Sequence, residues 1–471
     1  MPGSASTLAK RHAIKYLDQD FEALRRQCQS SGQLFSDPIF PAAPESLGFE
    51  ELGPNSSKAR GVQWKRPREL CSEPKFITDG ATRTDICQGD LGDCWLMAAI
   101  ASLTLNQDIL AQVIHPEQSF MKGYAGIFHF QLWQYGKWVD VVIDDKLPTK
   151  DGELLFVHSA KRSEFWSALL EKAYAKVIGS YEALKGGCAT EGFEDFTGGI
   201  GECYQLSKAP FNLFNIMKQS LSRGSLLSTS ISGTAYEKEA VTKEQLVKRH
   251  AYSITGAEEI HVGGCLVQLV RLRNPWGHKE WKGAWSDESK EWRQVAPHVK
   301  AKLNCCVDDG EFWMAYSDFR ERYSKVEICN LIPETPSSSH MGKWDRWEFE
   351  ATFRSNRQFL IKLDGQKDRK SCSVLVGLMQ KDIRKQKQLG NDISSTCFAV
   401  YPVPKEYKDR KSIHLSPEVL SRTKAVFISE PHLKREVCQR FELSPGEYVI
   451  IPTTSHANQV GRFLLRVFYE K

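Results

Sequence analysis

The segment Cys87-Gln88-Gly89-Asp90-Leu91-Gly92-Asp93-Cys94-Trp95-Leu96-Met97-Ala98-Ala99-Ile100-Ala101-Ser102-Leu103 joins a glycine-rich turn to a long apolar run. Gly89, Gly92 and Asp93 predict a tight turn, and the run behind them predicts a helix from Trp95 to Leu105. A helix that is apolar on every side has to be buried. Cys94 therefore stands at the first turn of a buried helix, where the partial positive charge of the N-terminus favours a thiolate. A small core cysteine would fit the same segment. Gln88, six residues upstream, is either a surface amide or a donor that joins the Cys94 N–H at a developing oxyanion.

On either side of this segment the pattern alternates between helix and strand. Residues 5–28 carry a helical pattern and predict an N-terminal helix over residues 1–30. Ile127–Gln134 and Lys137–Asp144 predict two strands joined at Tyr135-Gly136. Glu164–Val177 predicts a second helix, and Gly198-Gly199 a hinge. Beyond the hinge, Tyr252–Thr255 and Cys265–Arg273 predict strands, with Gly263-Gly264 as a turn. Pro333–His340 reads as a linker. About seven short strands follow it, among them Phe359–Leu363, Ser373–Met379, Phe398–Val403, Tyr448–Pro452 and Phe463–Phe468. That spacing predicts a β-sandwich.

Composition narrows the class. The 471 residues exceed one hydrophobic core and predict several domains. The apolar run of about a dozen residues is too short to span a bilayer, which takes roughly 20. No signal-peptide pattern opens the chain, so an intracellular protein is expected. Thirteen cysteines without a C-x-x-C pair argue for reduced thiols rather than a disulfide framework or a zinc knuckle. A net charge of +5, from 63 basic and 58 acidic residues, gives no support to nucleic-acid binding.

A thiolate needs a base, and the base needs an orienting group. His250 opens His250-Ala251-Tyr252-Ser253-Ile254-Thr255-Gly256, and Asn274 closes a strand in Leu272-Arg273-Asn274-Pro275-Trp276-Gly277. Asn274 is expected to accept the imidazole Nδ1–H, with Trp276 shielding that bond. The order Cys, His, Asn followed by Trp-Gly is a papain-like arrangement.

Longer motifs carry a closer resemblance. The segment around Cys94, Glu164–Lys176, Glu191–Gly199, Asp309–Met314 and Ser444–Pro452 resemble the calpain large subunit, from about residue 14 to the C-terminus. The resemblance implies an α+β protein: a two-subdomain papain-like protease core followed by an antiparallel β-sandwich. The expected boundaries are 31–198 for the Cys side, 199–332 for the His/Asn side, 333–342 for the linker and 343–471 for the sandwich. It implies a calcium-dependent cysteine endopeptidase with Cys94, His250, Asn274 and Gln88 as catalytic groups. Two Ca2+ sites are implied: Thr78, Gly80, Asp85 and Glu164 in the first, and Glu280, Asp287, Val307, Asp309 and Glu311 in the second. These residue types suit a cation that takes six to eight oxygens.

Implied partners are protein substrates, a calpastatin-like inhibitor and anionic phospholipid at the sandwich. The implied location is the cytoplasm, with membrane association when calcium rises. No EF-hand loop occurs, so pairing with a small regulatory subunit is not expected. Arg249 stands where the family has Gly, and an inward guanidinium there would disfavour the imidazolium. A catalytically weak calpain-fold regulator is the alternative function. A transglutaminase-type acyltransferase is disfavoured, because it would orient its His with Asp.

Overall fold

The computed structural model describes residues 13–237, 239–303, 309–331, 344–355, 357–363, 371–389, 394–455 and 461–470. The chain divides into two units, 1–331 and 332–471. Val307 and the 333–340 linker lie outside the described residues.

Of the predicted N-terminal helix, residues 1–12 lie outside the described residues, and residues 13–20 do not form the α-helix that the periodicity suggested. Ile14–Lys15 form strand β1, Leu17 and Asp18 have φ of 51° and 59°, and helix α1 runs only over Phe21–Ser31. Asp20 sets the start: its carboxylate accepts the Ala23 N–H at 2.8 Å, an N-cap that the apolar spacing does not register.

Helix α2 (Cys94–Leu103) is the centre of the first unit. Every residue from Trp95 to Leu103 is buried, as a helix apolar on all sides requires. Helix α3 (Gln107–Val113) follows at once, capped by Asn106, whose side chain accepts the Ile109 N–H at 3.2 Å. Helices α4 (Trp166–Ile178) and α5 (Ala189–Thr197) enclose α2. At Gly192 in α5 a Cβ would come 2.7 Å from Ala99, so the helix approach requires glycine. Strand β2 (Gln63–Lys65) pairs with β5 (Leu147–Lys150), and β5 with β6 (Glu153–Leu154). The antiparallel hairpin β3 (Ile127–Gln134) and β4 (Lys137–Asp144) matches its predicted bounds, turning at Tyr135-Gly136 with φ of 49° and 95°.

Gly198, in the left-handed region, ends α5, and the next strand enters a different sheet. That six-stranded antiparallel sheet runs β11-β10-β9-β8-β12-β7. Its members are β7 (Ile200–Gln205), β8 (Leu226–Ser230), β9 (Ala251–Val262), β10 (Cys265–Arg273), β11 (Glu311–Ala315) and β12 (Lys325–Asn330). The β9–β10 register slips between Arg271 and Leu272, so Thr255 is a bulge residue. Helix α2 is fastened to this sheet: Ser253 Oγ donates to Ala98 O at 2.9 Å, and Ser102 Oγ to Leu227 O at 3.2 Å.

The second unit contains two antiparallel sheets, so the β-sandwich expectation holds. One orders β13-β20-β15-β18, from Trp344–Thr352, Arg462–Glu470, Cys372–Gln380 and Glu436–Leu443. The other orders β14-β19-β16-β17, from Phe359–Leu363, Gly446–Thr454, Thr396–Pro402 and Phe427–Ile428. Eight strands are described, against about seven expected: Phe427–Ile428 is too short to show an alternation, and Glu436–Leu443 carries several polar residues. Val374, Val376, Leu378, Phe398, Val400, Leu465 and Val467 fill the space between the sheets.

Candidate active site

Cys94 is the first residue of α2. Gly92, with φ of 74°, turns the chain into the helix, and the thiol lies within hydrogen-bonding reach of the Ala251 main chain at the start of β9. Two strand ends complete the site. His250 immediately precedes β9, and Asn274 immediately follows β10, its hairpin neighbour. The hairpin therefore delivers imidazole and amide side by side, at the end facing the first residue of α2.

The hydrogen bonds fix the imidazole tautomer. Asn274 Nδ2 donates to His278 O at 2.8 Å and to Lys279 O at 3.1 Å, which orients its amide. Its Oδ1 faces His250 Nε2 at 2.8 Å, so Nε2 carries the proton and Nδ1 is the basic nitrogen. This corrects the sequence expectation, which gave Nδ1 to Asn274. Strand geometry alone does not say which ring edge faces the amide. Nδ1 is buried and has no hydrogen-bond partner among the described residues. Trp276 lies against the ring at 4.7 Å, and its backbone N–H donates to Asn274 Oδ1 at 3.1 Å, covering the His–Asn bond as expected.

Electrostatics in this state oppose ionisation. Burial pushes the Cys94 thiol up to about 11, and the nearby Asp93 and Glu239 carboxylates act in the same sense. Burial also brings His250 down to about 4, against the opposing Asn274 bond. The helix N-terminus thus does not by itself give a thiolate, contrary to the sequence expectation: desolvation outweighs the dipole. Thiol and imidazole are both neutral near pH 7.

A cavity of about 690 Å³ opens beside the pair, lined by Gln88, Gly89, Gly92, Phe156, Glu239 and Trp276 among others. The Gln88 N–H donates to Pro275 O at 3.0 Å, which ties the turn before α2 to the Asn274 loop. Gln88 Nε2 points to Asp93 Oδ1 at 3.4 Å.

Arg249 has φ of 53°, the left-handed conformation that glycine adopts readily and arginine resists. Its side chain nevertheless lies at the surface, with Nη1 3.5 Å from Thr234 O, rather than inward as expected. Arg249→Gly is expected to stabilise the protein by about 0.5–1 kcal/mol, relieving left-handed strain. The pH profile of activity should stay as it is, since a solvated charge is screened. Urea unfolding and a pH–rate series check both halves.

The first candidate cation site is assembled. Asp85 and Glu164 are buried with their carboxyls facing each other, and burial pushes Glu164 up to about 7, with Asp85 adding to the rise. Glu164 accepts the Thr78 N–H at 2.6 Å and the Ser159 hydroxyl at 2.8 Å. The Thr78 carbonyl accepts from the Lys161 ammonium at 3.0 Å, and Gly80 has φ of 89° in the same loop. In the second set, Glu280 accepts the Asp309 and Gly310 N–H groups at 3.2 and 2.8 Å. Asp309 accepts the Glu311 N–H at 2.9 Å, and an Asp287 carboxylate oxygen is buried.

Glu311 departs from the expected set. Its carboxylate takes Arg83 Nε and Nη2 at 2.7 and 2.6 Å and the Thr255 hydroxyl at 2.7 Å, with Arg271 at 3.5 Å. In this structure the side chain is therefore clamped by guanidinium groups. Sequence reading missed Arg83 as the partner. Its only signal was a cation two residues before Asp85.

Residues 35–330 match the model of the calpain family cysteine protease, and residues 342–468 that of calpain large subunit, domain III. The chain is 55% identical to the calpain-2 catalytic subunit of Mus musculus over 482 residues, covering 98% of this chain and 69% of that one. Against the calpain-2 catalytic subunit of Homo sapiens it is 53% identical, with coverage of 100% and 72%. The calpain-1 catalytic subunit of Bos taurus is 52% identical, with coverage of 98% and 68%. On these matches the chain belongs to the calpain family and is a cysteine endopeptidase.

Proposed function

We propose that the chain performs calcium-dependent, limited proteolysis of protein substrates through Cys94, His250 and Asn274, with Gln88 as oxyanion donor. The observation that carries this reading is the His250 Nε2–Asn274 Oδ1 bond, which leaves Nδ1 as a bare base beside the β9 residue that Cys94 touches. Nδ1 takes the thiol proton, and the thiolate attacks the scissile carbonyl carbon. Negative charge then develops on the carbonyl oxygen, where the Gln88 amide and the Cys94 N–H receive it. The imidazolium gives its proton to the leaving amine as the C–N bond breaks. Water, deprotonated by Nδ1, releases the acyl group.

The donor sets fit a hard divalent cation. In the first, Thr78, Gly80, Asp85 and Glu164 present two buried carboxyls that resist joint ionisation unless positive charge stands beside them. In the second, Glu280, Asp287, Asp309 and Glu311 would supply carboxylates and Val307 a carbonyl, with Glu311 leaving the Arg83 clamp to do so. Bound calcium supplies the charge that lets each set ionise and order its loop. We further propose that the core divides at Gly198-Gly199 into the halves that carry these sets. Their closure would bring Cys94 and His250 to ion-pairing distance, with Trp276 moving away from the ring. The neutral thiol and imidazole found here suit the state before closure.

The family's enzymatic character leaves the inactive-regulator alternative without support. Cytoplasmic location, a calpastatin-like inhibitor and anionic lipid at the sandwich remain parts of the proposal. In the basic stretch Lys381–Lys387, which would face lipid, Lys381 is paired with Glu350, and Asp382 beside it with Arg462. No single described helix is long and apolar enough to cross a membrane.

The test is hydrolysis of casein across a calcium series. Glu164→Gln is expected to raise the calcium needed for half-maximal rate by about tenfold or more, through loss of one anionic ligand. Its unfolding without calcium should be unchanged, because Glu164 is already half-protonated near pH 7. Equal calcium dependence in the two proteins would remove the core site.

A further inference from the structure

Behind the turn that presents Cys94 lies a second pair of carboxyl groups, which the proposed chemistry does not use. Asp93 is 1% exposed and Glu171, on α4, is 2% exposed, and the two face each other within hydrogen-bonding reach. Each keeps one buried oxygen, Asp93 Oδ2 and Glu171 Oε1, that meets no N–H or O–H group of its surroundings. Their other oxygens are engaged: Glu171 Oε2 accepts the Val157 N–H at 3.2 Å, and Asp93 Oδ1 faces Gln88 Nε2 at 3.4 Å. Two bare carboxylate oxygens cannot face each other in a dry interior as two anions. One proton between them satisfies both, as O–H···O⁻.

We propose that Glu171, as the neutral acid of this pair, is a positioning residue that holds Asp93 and through it aims the Gln88 amide at the oxyanion. This rests on the reading of Gln88 as oxyanion donor. Burial, then the Asp93 charge, pushes the Glu171 carboxyl well up, so the proton stays with Glu171 while Asp93 keeps the charge that orients Nε2. The same backbone braces both ends: Leu155 O accepts the Asp90 N–H at 3.1 Å, two residues before the Val157 N–H that holds Glu171. At Gly89 a Cβ would meet Phe156 O at 2.3 Å, so the Gln88 turn lies directly on that segment. The other groups facing the pair are few. The buried Tyr181 hydroxyl approaches from the turn after α4, Asp144 from β4 is paired with Lys172, and the Cys94 thiol lies next along α2, with Glu239 beyond it.

The direction of the pH effect follows. Glu171 titrates higher in the folded protein than unfolded, so it contributes stability at low pH that is lost as pH rises through its folded value. Above that point the pair holds two charges, Asp93 is repelled, and Gln88 loses its acceptor. Activity therefore declines on the alkaline side through Glu171 as well as through deprotonation of His250⁺, and an amide at position 171 removes only the Glu171 part.

The experiment measures kcat and KM for calcium-activated cleavage of a fluorogenic peptide across pH. It compares the parent with Gln88→Ala, Glu171→Leu, Glu171→Gln and the Gln88→Ala/Glu171→Leu double variant. Gln88→Ala should lower kcat by about 100-fold, the effect of removing one oxyanion donor. Glu171→Leu should lower kcat by about tenfold or more at unchanged KM, and the double variant should fall no further than Gln88→Ala alone. Glu171→Gln should stay within about threefold of the parent and keep only the His250⁺ part of the alkaline decline, since an amide still donates to Asp93 but cannot ionise. Alkylation of Cys94 by iodoacetamide needs no oxyanion donor and should proceed at the parent rate in Glu171→Leu. If Glu171→Leu does not fold, the Glu171→Gln pH profile decides alone. Losses that multiply in the double variant, or a Glu171→Gln protein whose alkaline limb falls at the same pH and with the same steepness as the parent's, would overturn the proposal. Full activity in Gln88→Ala alone would instead remove the oxyanion reading, and the proposal with it.

Discussion

Replacing Cys94 by alanine is expected to lower calcium-activated casein hydrolysis by roughly 10⁴-fold or more, with the fold and the calcium-induced change intact. The size follows from the chemistry. Without the sulfur no acyl-enzyme forms, and the oxyanion donors and substrate contacts are left with only residual catalysis. The fold should survive because the Cys94 side chain contributes little packing. Trp95, Leu96, Met97 and Ile100 carry the burial of α2, while the thiol sits at its first turn. Casein digestion followed by electrophoresis, beside calorimetry of the same protein, measures both. Retained hydrolysis would mean that another group is the nucleophile.

Glu311→Ala is expected to destabilise the 1–331 unit by about 3 kcal/mol, the usual result of removing one partner from a buried ion pair. The variant leaves Arg83 and Arg271 facing each other without their shared counter-charge, and the Thr255 hydroxyl without its acceptor. Burial alone would raise the Glu311 carboxyl, but Arg271 and Arg83 hold it below its ordinary value. Its contribution is thus present above the unfolded carboxyl range and lost as pH falls through the folded value. Urea unfolding at pH 7 and at acid pH should show a gap between parent and variant that closes on acidification. A gap that is absent at pH 7 would mean that the clamp contributes nothing.

How much of this was visible in the sequence depended on how local each feature is. The α2 helix and the hairpin at Tyr135-Gly136 follow from short-range patterning almost to the residue, while the strand before Gly263-Gly264 runs on from the expected Tyr252–Thr255 to Val262. The meeting of His250 and Asn274 is a consequence of one hairpin, so the motif order sufficed. The N-terminal helix failed because a capping carboxylate at Asp20 and left-handed residues at 17 and 18 override apolar spacing. At Arg249 the positive φ was foreseeable from the glycine it replaces, while the outward path of the side chain was not. Long-range charge pairing was the least visible. Arg83 and Glu311 are 228 residues apart, and Asp93 read only as a turn residue, with nothing in the sequence to link it to Glu171. Desolvation is likewise a property of the assembled core. A helix N-terminus in the sequence gave no warning that burial would outweigh it at Cys94.

The central claim is that calcium converts a neutral thiol and imidazole into a reactive ion pair. It is tested most directly by limiting iodoacetamide labelling with peptide mapping across pH 5–9, with and without calcium. Without calcium at pH 7, the exposed Cys203 and Cys265 should react ahead of Cys94, whose thiol is held up by burial. With calcium, Cys94 should react first and at a rate nearly independent of pH, as a thiolate beside His250⁺ does. Cys94 labelling that calcium leaves unchanged in rate and pH dependence would contradict the account.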